Sequence, residues 1–159
     1  AILTVVLSVL FSTRTKFDLS TFIHHINTFL FIKQFDDKFV TGFFGEYDAN
    51  TRKLKYIYCG HEPAYLITDD TIQHLFSNNL PLGIIDENYE TKEISIPKGA
   101  SLFLYTDGIL EYAKDNEIKS YLKENISLSP KDNALNLYKK LVTDKDNQKD
   151  DFTCIIMKF

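Results

Sequence analysis

Between Phe39 and Thr106, short runs of apolar and β-branched residues alternate with tight turn signals, and this rhythm limits the fold more than any other feature. A run that short cannot bury a helical face, so each must pair with a neighbour. Separations of a few residues force antiparallel pairing, because a parallel crossover needs about a dozen residues or more. Phe39 to Tyr47 and Lys53 to Cys59 flank Asp48-Ala-Asn-Thr, and Ala64 to Thr68 and Thr71 to Phe76 flank Asp69-Asp70. Thr91 to Ile96 and Ala100 to Thr106 flank Pro97-Lys-Gly99. Each pair is read as a hairpin, with Ser77-Asn-Asn and Pro81-Leu-Gly83 as intervening loop.

Helical signals lie outside this stretch. Asp18 is a good N-cap for a helix from Leu19 to about Lys33, whose Leu19, Phe22, Ile23, Ile26, Phe29 and Leu30 share one face. His24 and His25 sit on or beside that face and read as solvent-facing or core-edge histidines. Helix returns after Gly108, and Ser129-Pro130 supplies a cap and a first-turn proline for a helix to about Val142. Leu135, Leu137, Tyr138 and Leu141 are its apolar residues. Thr143 to Asp151 is a polar loop, and Phe152 to Phe159 a last strand. The opening run, Ala1 to Phe11, looks like the interior of a buried helix, cut into rather than started. It is too short to span a bilayer and too interrupted for a signal-peptide core, so the sequence is expected to be a fragment. Meanders of strands with amphipathic helices give an α+β fold.

Net charge of −4 with no basic run argues against nucleic acid as a partner. The two cysteines, Cys59 and Cys154, each lie in an apolar strand-like run and read as reduced core thiols. No Gly-x-Ser-x-Gly elbow points to a serine hydrolase, and no paired Cys or His has zinc-ligand spacing.

Two acidic places stand out. Leu102-Phe-Leu-Tyr-Thr-Asp107-Gly108 runs an apolar strand straight into a carboxylate, and Asp150-Asp151 precedes the last strand. Carboxylates at strand ends are suited to hard divalent cations, and two such ions about 4 Å apart can hold a bridging water and aim it at phosphorus. Asp-Gly is equally a common turn, and a pair of aspartates in a polar loop is often merely solvated.

Four segments carry more. Tyr58-Cys-Gly-His-Glu-Pro-Ala64, Leu80-Pro-Leu-Gly83, Tyr105-Thr-Asp-Gly-Ile-Leu-Glu111 and Asp150-Asp-Phe-Thr153 occur in an order and spacing that resembles the PPM (type 2C-like) metal-dependent protein serine/threonine phosphatases. The nearest branch is the bacterial sporulation and stress-response type, and the resemblance runs from the first helix to Phe159. It implies layered antiparallel sheets flanked by helices, incomplete at the N-terminus, with residues 1–159 the C-terminal portion of a single phosphatase domain. It further implies catalytic metal aspartates at Asp107 and Asp150, with Asp151 beside them, and two Mn²⁺ or Mg²⁺ ions in the complete domain. Gly108 would keep the backbone near the metals open, and Glu111 would support rather than ligate. Gly60 and His61 belong to a motif that reads as a structural turn, with His61 as a general acid the less favoured role.

The family's N-terminal Gly-Asp and Asp-x-Ser-Gly-His-Gly motifs are not in this sequence, so the chain is expected to hold one side of a binuclear site. The isolated fragment is accordingly expected to be a weak metal binder with little or no activity. The resemblance implies hydrolysis of phosphoserine or phosphothreonine on a bacterial regulatory protein, such as an anti-sigma-factor antagonist. It places the domain in the cytoplasm, in some parents tethered to the membrane through an N-terminal sensor region. An open sheet edge would favour a homodimer. The alternatives are a catalytically inactive, protein-binding domain of the same fold, which the retained Asp107 and Asp150 weigh against, and an unrelated β-rich binding module, which the ordered motifs weigh against.

Overall fold

The structure, a computed structural model, describes residues 18–33, 39–142 and 151–159. The Ala1 to Phe11 run, Asp150 and the rest of the polar loop up to it lie outside the described residues. The chain forms two compact units, one holding the residues up to His61 together with Ser77–Ser95, the other Glu62–Phe76 with Ile96–Phe159.

In the first unit, helix α1 (Leu19–Lys33) begins where expected. The Asp18 carboxylate accepts from the Thr21 backbone N–H at 3.1 Å and from its hydroxyl at 2.8 Å, satisfying donors that the first turn leaves open. Leu19, Phe22, Ile23, Ile26 and Leu30 are buried and form a core with Ile57, Cys59, Leu82 and Tyr89. His25 is exposed and His24 half-buried, at the rim of that face. Strands β1 (Gly42–Asp48), β2 (Lys53–Cys59) and, after an excursion through the other unit, β5 (Lys92–Ser95) make an antiparallel sheet in the order β1-β2-β5. The β1–β2 turn is held by Asp48, whose Oδ1 accepts from Asn50 N–H at 2.8 Å.

The second unit carries β3 (Ala64–Ile67), β4 (Ile72–Leu75), β6 (Ser101–Tyr105) and β7 (Cys154–Lys158) in the order β4-β3-β6-β7, all antiparallel. Tyr65, Ile67, Phe103 and Tyr105 share one face of this sheet, two residues apart along each strand. They form a core with Ile118, Tyr121 and Leu122 of α2 (Asp115–Glu124) and Leu137 of α3 (Pro130–Leu141). Ser129 caps α3, its hydroxyl accepting from Asp132 N–H at 3.1 Å. Leu137 is fully buried, whereas Leu135, two residues earlier, is 44% exposed and outside the core.

The α+β expectation and the first two hairpins are borne out. The third is not. β5 pairs with β2, with Lys55 opposite Glu93, whereas β6 pairs with β3 and β7. Pro97-Lys-Gly99 thus lies just inside the second unit and leads into β6, with Gly99 at φ +82. Turn chemistry reports that the chain bends, not which strand it bends towards.

Candidate metal centre

β6 is buried along most of its length, and its apolar run stops at Thr106. The backbone then coils into a short 3₁₀ helix, Asp107–Glu111, in which Ile109 N–H donates to Thr106 O at 3.1 Å. Gly108 and Ile109 turn inward, and Ile109 is completely buried in the core of the second unit. Burying that side chain contributes about 1.5–3 kcal/mol and fixes the turn. Asp107 is left exposed at the sheet rim. Glu111 closes the 3₁₀ helix, also exposed.

The second acidic place meets the first through the sheet. β6 and β7 are antiparallel partners with Tyr105 opposite Cys154, and one step further Thr106 N–H donates to Thr153 O at 3.1 Å. The end of β6 and the start of β7 therefore share a rim, with Asp107 one residue after Thr106 and Asp151 two residues before Thr153. Phe152 is held between aromatic rings, edge-on to Tyr138 at 5.3 Å and 6.3 Å from Tyr112, while Asp151 beside it is exposed. Each carboxylate thus neighbours an apolar anchor that sets where it emerges.

The donor chemistry at this rim fits a hard divalent cation: carboxylate oxygens beside paired strand ends, accessible to water. The Thr106 hydroxyl is buried beside Asp107 and finds no hydrogen-bond partner among the described residues, which leaves oxygen capacity at the same place. The donor count is small. Among the described residues no group of three His, Cys, Asp or Glu side chains gathers closely enough to hold a metal ion by itself.

Gly60 and His61 lie in the first unit and build a turn. Gly60 has φ +58, and a Cβ placed there would come within 2.6 Å of Pro81 Cγ and 2.8 Å of Cδ. The Gly-His-Glu-Pro and Pro-Leu-Gly segments are therefore packed backbone against ring, a contact open only to glycine. Tyr58 donates its hydroxyl hydrogen to the His61 carbonyl. The Pro-Leu-Gly loop is held in turn by Asn27, fully buried on α1: its Oδ1 accepts from Gly83 N–H at 2.8 Å and its Nδ2 donates to Ile85 O at 2.7 Å. Asn27 carries no sequence signal beyond a polar residue on an apolar face. Cys59 beside this turn is buried, and burial pushes its thiol up to about 12, the opposite of what a nucleophile requires.

Comparison with known proteins gives one consistent result. The description of the stage II sporulation protein E (SpoIIE) family matches residues 1–159, the whole chain. Phosphoserine phosphatase RsbU of Bacillus subtilis (strain 168) is 28% identical over 130 residues, which cover 76% of this chain and 39% of that protein. The chain thus spans well under half the length of this relative. Among solved structures, the PP2C phosphatase domain of SpoIIE from Bacillus subtilis superposes with a TM-score of 0.80 at 22% identity, covering 96% of this chain and 48% of that one. RsbX in complex with magnesium superposes with a TM-score of 0.70 at 19% identity, covering 94% and 68% respectively.

Proposed function

The chain belongs to the stage II sporulation protein E family, and from that premise we propose that its 159 residues are the C-terminal portion of one protein serine/threonine phosphatase domain. The observation that carries the proposal is the shared rim of β6 and β7, where Asp107 and Asp151 emerge from paired strand ends. In this reading Asp107 and Asp150 hold the catalytic metals, Asp151 assists, and the remaining ligands come from the rest of the natural polypeptide. A bound pair of Mn²⁺ or Mg²⁺ ions would supply a water of lowered pKa, poised in line with phosphorus. Magnesium in the solved RsbX structure supports a divalent ion at the corresponding domain.

The residues of this chain do the positioning. Gly108 turns the backbone inward so that Asp107 stands clear at the rim, and Ile109 and Phe152 fix the two strand ends. Glu111, exposed at the end of the same 3₁₀ helix, supports the rim from the side. Gly60 and His61 shape the turn that packs on Pro81. The printed name of RsbU, a phosphoserine phosphatase, supports phosphoserine as the group attacked; the proposed substrate is a phosphoserine or phosphothreonine on a regulatory protein, such as an anti-sigma-factor antagonist. No helix among the described residues is long and apolar enough to cross a membrane.

Phosphate release from a phosphoserine peptide with Mn²⁺ tests the reading in the natural polypeptide that carries these residues. Wild type is expected to turn over and Asp107→Asn to fall to background. An Asp107→Asn variant as active as wild type would remove Asp107 from the chemistry.

A further inference from the structure

The core of the second unit contains a chain of linked polar groups. Tyr65 of β3 is completely buried, stacked on Phe103 at 6.0 Å between ring centroids and facing His74 at 4.9 Å. A phenylalanine would fill that volume, so the hydroxyl is the informative atom. It donates to the Asp115 carboxylate on the first turn of α2 and lies 2.8 Å from the Tyr105 hydroxyl at the end of β6. Because Asp115 takes the Tyr65 hydrogen, Tyr65 oxygen accepts and Tyr105 donates. Lys119, one turn along α2, pairs with Asp115 and sets its ammonium 5.5 Å from the centre of the Tyr65 ring.

The two partners of Tyr65 are the two ends of one segment. Tyr105 is the last residue of β6 and Asp115 the first of α2, and everything between them belongs to the connection that carries Asp107. Inside that connection the backbone hydrogen bonds include Ile109 N–H to Thr106 O at 3.1 Å and Tyr112 N–H to Ile109 O at 3.0 Å, Thr106 N–H reaches Thr153 O, and Ile109 anchors the middle in the core. Tyr65 is a fixed point on a central strand that grips both ends at once. Removing its hydroxyl leaves the Asp115 carboxylate and the Tyr105 hydroxyl without that common partner, and lets residues 106–114 shift as a unit.

We propose that Tyr65 is a positioning residue for Asp107, holding the ends of the Tyr105–Asp115 connection together through its buried hydroxyl and so tuning how tightly the rim binds a divalent cation. The inference rests on the metal-phosphatase reading for its consequence, though not for the clamp itself.

The test uses Tyr65→Phe in the natural polypeptide, with free Mn²⁺ followed by electron paramagnetic resonance and backbone hydrogen exchange followed over residues 107–113. Tyr65→Phe is expected to weaken Mn²⁺ binding about 3- to 10-fold, less than the about 10- to 100-fold of a group bonded directly to a ligand. Exchange is expected to quicken at Ile109, Tyr112 and Ala113 while the β3–β6 ladder keeps its protection. Tyr105→Phe should give the same result without adding to it. Tyr121→Phe is the control, since that hydroxyl, in the same core, donates to Asn133 O at 3.2 Å, away from the connection. It should lower stability and leave Mn²⁺ binding alone. The proposal is overturned if Tyr65→Phe leaves exchange at residues 107–113 unchanged, or if Tyr121→Phe weakens Mn²⁺ binding as much. Faster exchange in a protein whose wild type binds no Mn²⁺ would keep the clamp and reject the metal reading.

Discussion

Replacing Gly60 by alanine would put a methyl carbon into the Pro81 ring. Two costs can be worked out separately. The backbone at Gly60 has φ +58, and a residue with a Cβ pays about 1–2 kcal/mol to stand in that left-handed region. The new Cβ would also lie 2.6 Å from Pro81 Cγ, 2.8 Å from Cδ and 3.1 Å from the Pro81 nitrogen. A closed ring tied to the backbone cannot rotate away, and overpacking of that kind costs about 1–3 kcal/mol. The sum, about 2–5 kcal/mol, is a large part of the about 5–15 kcal/mol that holds a domain together. Urea unfolding of Gly60→Ala, followed by far-ultraviolet circular dichroism because the chain has no tryptophan, measures it. The double variant Gly60→Ala/Pro81→Ala separates the terms: the ring overlap disappears, the backbone cost stays, and the pair should couple by about 1–3 kcal/mol. A Gly60→Ala protein within about 0.5 kcal/mol of wild type, the range of an ordinary surface change, would refute the packing of the two turns.

Two further predictions concern the first unit. Asn27→Ala deletes a buried amide that serves Gly83, Ile85 and Tyr89, and should cost about 2–4 kcal/mol in the same unfolding assay, since buried partners are left unpaired. Burial raises the folded pKa of Cys59 from 9.0 to about 12, so the stability gained by keeping it a neutral thiol is whole below about pH 9 and is lost as pH climbs towards 12. Alkylation of Cys59 by iodoacetamide at pH 8 should accordingly be far slower than in the urea-unfolded chain, as mass spectrometry of the labelled peptide would show.

Much of this fold is legible where local chemistry decides it. Asp18 and Ser129 announce their helices because an N-cap is a contact within one turn, and the Asp48 turn announces its hairpin for the same reason. Non-local pairing is another matter. Lys53 and Glu93 meet at 2.6 Å on neighbouring strands, yet nothing in either segment points to the other, and the Pro97-Lys-Gly99 turn suggested a wrong partner for β5. The site divides in the same way. Asp107 and the Asp150-Asp151 pair are legible as acidic residues flanking apolar runs, whereas the rim that Asp107 and Asp151 share depends on the β6–β7 register. The Tyr65, Tyr105 and Asp115 chain was not legible at all, since alternation assigns tyrosines to a face without saying which hydroxyls will meet.

The central claim is that the ends of β6 and β7 form one side of a metal site. Crystals of the natural polypeptide soaked in Mn²⁺ and measured at the manganese absorption edge address it most directly. The account predicts an anomalous peak about 2 Å from an Asp107 carboxylate oxygen, on the rim that Asp151 shares. Manganese bound elsewhere, with Asp107 turned to bulk water, would contradict it.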